Sequence, residues 1–433
     1  MFSTVHHGPH SQKKRTVANI YSKSYIQSSP QIAANSRTLL SARFLPLIHS
    51  TAESCTPVDV HDLNNAFTMD FMSAYQFGIQ NSTNFTQDVA TRQRLLHEYH
   101  SRRDYEIYSS ELPLLKRWSR RLGLPVVPKF VDDANQILED WGSSMCKAAD
   151  DYLKYHAPSH DSSQPFNPGN EPIVYKQFKH GLSRLREKDP FAGMELLAPS
   201  EKLGNGNGPE STMLEIQSEM LDHLGAGHET SAVALTYLYW ELSKQPAWQA
   251  ELRKELLTLS PQIIWPVIYP DTITLPEPKD IDKLPFLHAI FMETLRLHAS
   301  IPGIEPRVSP AGLHTLGAYD NIPGGVRVSS MPFALHRNAS VFPEPEMFKP
   351  SRWLSSTSSE TQLKEMHRWF WAFGSGGRMC IGSNLATQEI KLIVAAIYSN
   401  YTTEIVDDEG IEELDAYTTR PKSNQLILKF KHV

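Results

Sequence analysis

Cysteine is scarce: three in 433 residues, at Cys55, Cys146 and Cys380. An odd, widely spaced set excludes a disulfide framework and suits a reducing compartment. The absence of any C-x-x-C pair excludes zinc sites of the finger type. Cys55 and Cys146 read as small buried hydrophobes. Long apolar runs are also missing. None reaches the roughly 18 residues that a membrane span needs. The first residues, M-F-S-T-V-H-H-G-P-H-S-Q-K-K-R, hold no apolar segment of the signal-peptide kind. His6, His7 and His10 there read as a solvated polar end rather than a metal cluster. A basic excess is lacking, with a net charge of -6 and a pI near 6.3, which excludes an ordinary nucleic-acid binder. No internal repeat is present.

What is there is globular. Apolar residues make up 40% and charged residues 21%, in a chain long enough for a large core. Residues 15–155 read as several helices. Leu63, Phe67, Phe71, Ala74 and Phe77 recur at helical spacing, with Gly78 as a C-cap. Residues 156–171, rich in Pro, Ser and Asn, and the Gly-Asn repeats of 203–209 read as loops. Residues 211–245 predict a helix of about 50 Å, ended by Pro246. It is apolar on most sides in its C-terminal half and is expected to be central and buried. Helices over 246–259 and 285–298 follow, joined by the Pro-rich stretch 263–278. Beyond Ser300 the chain breaks into short strands and loops, such as Val326-Arg327-Val328, before a helix over 383–400 and a strand over 425–430. The expected fold class is mainly α with small β-sheets, and length alone would allow two or three domains.

The chemistry concentrates at Phe373-Gly374-Ser375-Gly376-Gly377-Arg378-Met379-Cys380-Ile381-Gly382. Four glycines surround one cysteine just before a helix. Glycine permits positive φ and close approach of backbone to a ligand. Freed amides and the helix N-terminus can stabilise a thiolate, and Arg378 adds a cation that could bind a carboxylate. A phosphate-binding turn is the bland alternative, but the lysine and hydroxyl of a P-loop are absent.

This segment resembles the haem-binding pattern F-x-x-G-x-R-x-C-x-G of the cytochrome P-450 family at all five fixed positions, Phe373, Gly376, Arg378, Cys380 and Gly382. At average residue usage a chance match in this chain is on the order of one in ten thousand. Glu293-Thr294-Leu295-Arg296 resembles the family's E-x-x-R, and Pro350-Ser351-Arg352-Trp353 its P-x-R-W. Residues at i and i+3 share a helix face, so Glu293 and Arg296 can meet. The resemblance adds Arg352 as a third, structural partner that locks the core beneath the haem. Ala226-Gly227-His228-Glu229-Thr230-Ser231 resembles the A-G-x-[DE]-T-[ST] of the helix over the distal haem face. There Thr230, aided by Glu229, is expected to organise water and deliver protons to oxygen.

The resemblance implies haem (iron protoporphyrin IX) with Cys380 as axial ligand of the iron. Phe373, Gly374, Gly376 and Gly382 shape the loop. Arg378 and Arg307 are expected on the propionates, and His10 and Lys14 sit where the family often has an early-helix W-x-x-x-R or H-x-x-x-R. The resemblance implies one domain over 1–433, with the haem-binding core at about 211–400. The implied activity is a monooxygenase acting on a small lipophilic organic substrate with O2 and electrons from an NADPH-dependent flavoprotein reductase. An O2-independent haem-thiolate isomerase or dehydratase and a non-catalytic fragment are the rivals. Leu224, Gly225 and Ile301–Glu305 resemble substrate-recognition segments. The chain most resembles eukaryotic microsomal members, especially filamentous-fungal ones, which are intracellular, at the endoplasmic reticulum membrane. They begin with an anchor and two further helices that this chain is expected to lack, which makes it an N-terminally truncated cytochrome P-450 fold.

Overall fold

Proline opens many of the helices, where its missing N–H costs nothing and its fixed φ suits the first turn. Pro209, Pro246 and Pro285 begin the helices Pro209–Ser243, Pro246–Leu256 and Pro285–Leu297. The computed structural model describes residues 7–155, 167–189, 209–269 and 273–433. His6 and most of the two expected loops, 156–166 and 203–208, lie outside the described residues.

The chain forms two compact units. The first draws on residues up to Ile20, Ser29–Leu39 and Ala66–His228. It is helical among its described residues, with helices His7–Val17, Val89–Ser101, Lys129–Tyr155 and Ile173–Lys188. Lys13 bridges Glu219 at 2.7 Å and Glu215 at 3.3 Å. Asp70 is buried and accepts hydrogen bonds from the Phe85 and Thr86 amides at 2.6 and 3.0 Å, which fixes the turn after the helix Val60–Phe77. Gly78 ends that helix at φ +81, and a Cβ there would lie 2.1 Å from the Asn170 carbonyl oxygen, so only glycine fits. The helix Pro113–Arg121 differs from the others. Leu114, Leu115 and Trp118 are exposed on it beside Lys116, Arg117, Arg120 and Arg121.

The second unit comprises Tyr21–Ser28, Leu40–Asn65 and Glu229–Val433. Among the described residues it holds every strand: β1 Val58–Asp59, β2 Glu305–Val308, β3 Leu313–Leu316, β4 Tyr319–Pro323, β5 Arg327–Ser330, β6 Tyr401–Asp407 and β7 Ile427–His432. They pair antiparallel as β1-β7-β6, β2-β5 and β3-β4. The C-terminal part of the long helix carries Ala232, Val233, Leu235, Tyr239 and Leu242 almost without exposure. The helix Pro285–Leu297 buries Leu287, Ile290 and Phe291, and its first amides find Glu255, which accepts from Phe286 and Leu287 at 2.7 and 2.8 Å. That answers the orphan donors of a helix start. The helix Ser383–Tyr398 buries Leu385, Ile390, Ile393, Val394 and Ile397.

The mainly helical class with small sheets is as expected. Four helices end one to three residues sooner than the sequence pattern suggests, at Ser243, Leu256, Leu297 and Tyr398. Cys55 is a correction: it is exposed, not buried, at φ 55 in the turn that closes the helix Leu45–Glu53. Cys146 is buried as expected, and burial pushes its thiol up to about 12.

Candidate functional site

The cysteine loop is held by backbone. Gly374 N–H donates to the Trp371 carbonyl at 2.8 Å, Met379 N–H to Gly376 at 3.0 Å and Cys380 N–H to Phe373 at 2.8 Å. Gly374 and Gly376 take φ +65 and +69, which β-carbon-bearing residues adopt only with strain. A Cβ on Gly374 would lie 3.0 Å from the Glu305 carboxylate, and one on Gly382 would lie 3.8 Å from Cys380 Sγ. Cys380 is exposed and not disulfide-bonded, three residues before the helix Ser383–Tyr398. Phe373 stacks on Phe291 with centroids 6.4 Å apart. Burial raises the Tyr21 phenol strongly, and the Cys380 charge raises it further. Asn384, at the start of that helix, donates to the Tyr21 carbonyl at 3.0 Å. An exposed sulfur just ahead of a helix N-terminus is a donor that fits haem iron.

Glu293, Arg296 and Arg352 come together away from solvent, with side chains 0%, 0% and 5% exposed. Arg296 grips Glu293 with two bonds of 2.8 Å, and Arg352 Nε adds a third of 2.9 Å. Glu293 also accepts from the Lys349 amide and Trp353 Nε1, both at 2.8 Å. Arg296 spends its remaining donors on the carbonyls of His336, Pro345 and Met347. A buried charge cluster is tolerable only when its donors and acceptors are satisfied in this way.

His336 ties this cluster to the cysteine loop, and sequence reasoning missed it. Its Nδ1–H donates to the Arg296 carbonyl at 2.9 Å and its Nε2 accepts from the Trp371 amide at 2.8 Å. Trp371 in turn accepts from Gly374. Burial drives the His336 pKa down to about 3, so the ring is neutral and its tautomer is fixed by the two bonds. No local motif announces it, because its partners lie 40 and 35 residues away.

Glu229 is buried and Thr230 half-buried on the long helix, and the Thr230 carbonyl accepts from Ser300 Oγ at 2.8 Å. Ser231 bonds Glu389 of the helix Ser383–Tyr398. Burial raises the Glu389 carboxyl well above the usual range, against the Ser231 bond, so it is a neutral acid. Nothing in the motif reading pointed to Glu389. Arg307 lies on β2, half-exposed, and donates to the Ser375 carbonyl at 3.1 Å, with Glu305 at 3.6 Å. Arg378 ends a short 3-10 turn within the loop. His10 and Lys14 lie in the first unit on the helix His7–Val17, His10 buried and Lys14 half-buried. Leu224 and Gly225 belong to that unit too, while Ile301, Pro302, Gly303, Ile304 and Glu305 belong to the second.

A mainly helical chain that presents a single cysteine from a glycine-held loop at a helix start falls in the class of thiolate-ligating haem proteins. Comparison with known proteins gives the same answer. A family profile described as cytochrome P-450 matches residues 10–428. The cytochrome P-450 monooxygenase avaI of Aspergillus versicolor is 28% identical over 397 residues, covering 89% of this chain and 80% of the relative. The cytochrome P-450 monooxygenase sdnE of Sordaria araneosa is 28% identical over 410 residues, covering 94% of this chain and 72% of the relative. A third, tazI of Aspergillus terreus, is 36% identical over 207 residues, which is 48% of this chain and 38% of that protein. The chain belongs to the cytochrome P-450 family: it is a haem-binding oxidoreductase of the monooxygenase kind.

Proposed function

We propose that the protein inserts one oxygen atom of O2 into a small lipophilic organic substrate and releases the other as water. Two electrons come from NADPH through a flavoprotein reductase, and two protons from solvent. The observation that carries this reading is one loop in which Cys380 stands exposed just before a helix, with Gly374 and Gly376 at positive φ. Haem, held by Cys380, supplies the redox-active iron. Arg378 and Arg307 hold the propionates, with His10 and Lys14 as further partners. Phe373, Gly374, Gly376 and Gly382 shape the loop around the sulfur. Glu293, Arg296 and Arg352 serve the fold beneath the cofactor, in one functional domain over 1–433 with its core at about 211–400.

Glu229 and Thr230 hold water and pass protons to oxygen during turnover. Glu229 is a carboxylate in a buried setting, and Thr230 is a hydroxyl half-open beside it. This acid–alcohol pair favours oxygen chemistry over the O2-independent isomerase or dehydratase reading. The lipophilic substrate is supported by Leu224, Ile301, Pro302 and Ile304. A membrane surface suits the helix Pro113–Arg121, where exposed Leu114, Leu115 and Trp118 lie among four basic residues. The endoplasmic reticulum is the membrane we assign. Among the described residues no helix is long and apolar enough to cross a membrane.

Thr230→Ala tests the assignment. The variant is expected to keep its haem spectrum and its NADPH consumption with reductase, while peroxide replaces most of the oxygenated product. Unchanged product per NADPH would remove Thr230 from proton delivery. Substrate conversion without O2 would turn the reading to the isomerase.

A further inference from the structure

Away from the cysteine loop, the second unit brings two imidazoles and a carboxylate together. His49 and Glu53 are four residues apart on the helix Leu45–Glu53, so they share one face. His432 arrives from the end of β7. One ligand atom from each lies within 4.8 Å of the other two. His432 Nε2 and Glu53 Oε1 are 3.1 Å apart, close to the about 3.3 Å separating neighbouring donors around tetrahedral zinc with bonds near 2.0–2.1 Å. The His49 and His432 rings meet edge to face with centroids 5.1 Å apart. His49 Nδ1 and Tyr401 Oη on β6 are 3.3 Å apart. When Nδ1–H donates there, the Nε2 lone pair is left as the ligand. Zinc-bound histidines are commonly oriented by such a partner on the other ring nitrogen. Tyr401 is buried and His49 half-buried, whereas His432 and Glu53 are exposed, so the cluster is backed by protein on one side and open to water on the other.

We propose that His49, Glu53 and His432 bind a divalent cation of the zinc type. Two imidazoles and one carboxylate suit borderline ions such as Zn2+, and they leave a fourth position for water. The cation takes the place of the hydrogen on His432 Nε2 that faces Glu53, which shifts to the other ring nitrogen of a neutral imidazole or leaves to solvent from a charged one. Bound there, it staples the helix Leu45–Glu53 to β7 and so to the sheet β1-β7-β6. This site is independent of the haem assignment.

The test is titration of the purified full chain, freed of metal with chelator, with zinc chloride in a calorimeter. One saturable site is expected. Affinity should fall more than tenfold in His49→Ala, Glu53→Gln and His432→Ala, and by about tenfold in Tyr401→Phe, whose hydroxyl only orients His49. Zinc should raise the unfolding temperature of the parent but not of Glu53→Gln, a near-isosteric change at an exposed position. No saturable binding overturns the proposal. So does binding that survives all three ligand variants, or that falls instead in His7→Ala or Cys55→Ser, which would place the metal elsewhere.

Discussion

The Glu293 cluster and the Cys380 loop are built on opposite principles within one unit. Around Glu293 charge is fully buried, and both carboxylate oxygens and both arginines find partners inside the protein. Around Cys380 the sulfur is exposed, and the loop is held mainly by main-chain bonds, with Arg307 adding one to the Ser375 carbonyl. The first region specifies the fold and the second a chemistry, so damage should register differently. Glu293→Ala carries the largest expected effect. It strands two buried guanidiniums, and breaking a buried pair typically costs about 3–5 kcal/mol. Against a total stability of about 5–15 kcal/mol the result should be insoluble or haem-free protein. A soluble variant with full haem content would show that the cluster is not needed for folding.

His336 joins the two regions, and His336→Ala should cut that link. The variant leaves a cavity and two buried main-chain partners, the Arg296 carbonyl and the Trp371 amide, without their ring nitrogens. A loss of about 2–4 kcal/mol follows from the orphaned groups and the void together. Urea unfolding measures it, and a loss under about 1 kcal/mol would mean that the loop stands without the cluster. Cys380→Ser sits at the other end of the scale. Exposed substitutions usually stay within about 0.5 kcal/mol, so the haem-free variant should unfold like its parent. Its spectrum should change wholly, because a serine hydroxyl stays protonated at neutral pH. The red-shifted Soret band of the reduced, CO-bound form should vanish, and its survival would mean that Cys380 is not the ligand.

The same contrast explains what could be read from the chain before folding. Glu293 and Arg296 are three residues apart on one helix, and the loop chemistry fits in ten consecutive residues, so both were legible. Arg352 was reached by resemblance rather than by spacing. His336, Tyr21 and Glu389 were not legible, since each acts on groups brought near only by tertiary packing. Cys55 was misread because a turn conformation, which composition does not report, places it outside. His298 also escaped notice: burial opposes its charge, but the bonds from Glu241 at 3.1 Å and Glu413 at 2.7 Å outweigh that and lift its pKa.

A change read against pH is the most discriminating for charge. Glu389 is buried beside Ser231, next to Thr230 in the chain, with its Oε1 lacking a hydrogen-bond partner. Burial raises its folded pKa well above 4.5. The unfolded chain releases this proton once the pH exceeds about 4.3, whereas the folded chain keeps it. Folding at neutral pH therefore takes up a proton, and this residue's contribution falls as pH rises toward the folded pKa. Glutamine has the same shape and no proton to take up. Near pH 5 the Glu389→Gln variant should unfold at almost the parent's urea concentration. At pH 8 it should be the more stable of the two, with the gap widening steadily between. A gap that stays constant with pH would mean that Glu389 is ionised in the folded protein, and that the unit holds a buried charge beside Ser231 rather than a neutral acid.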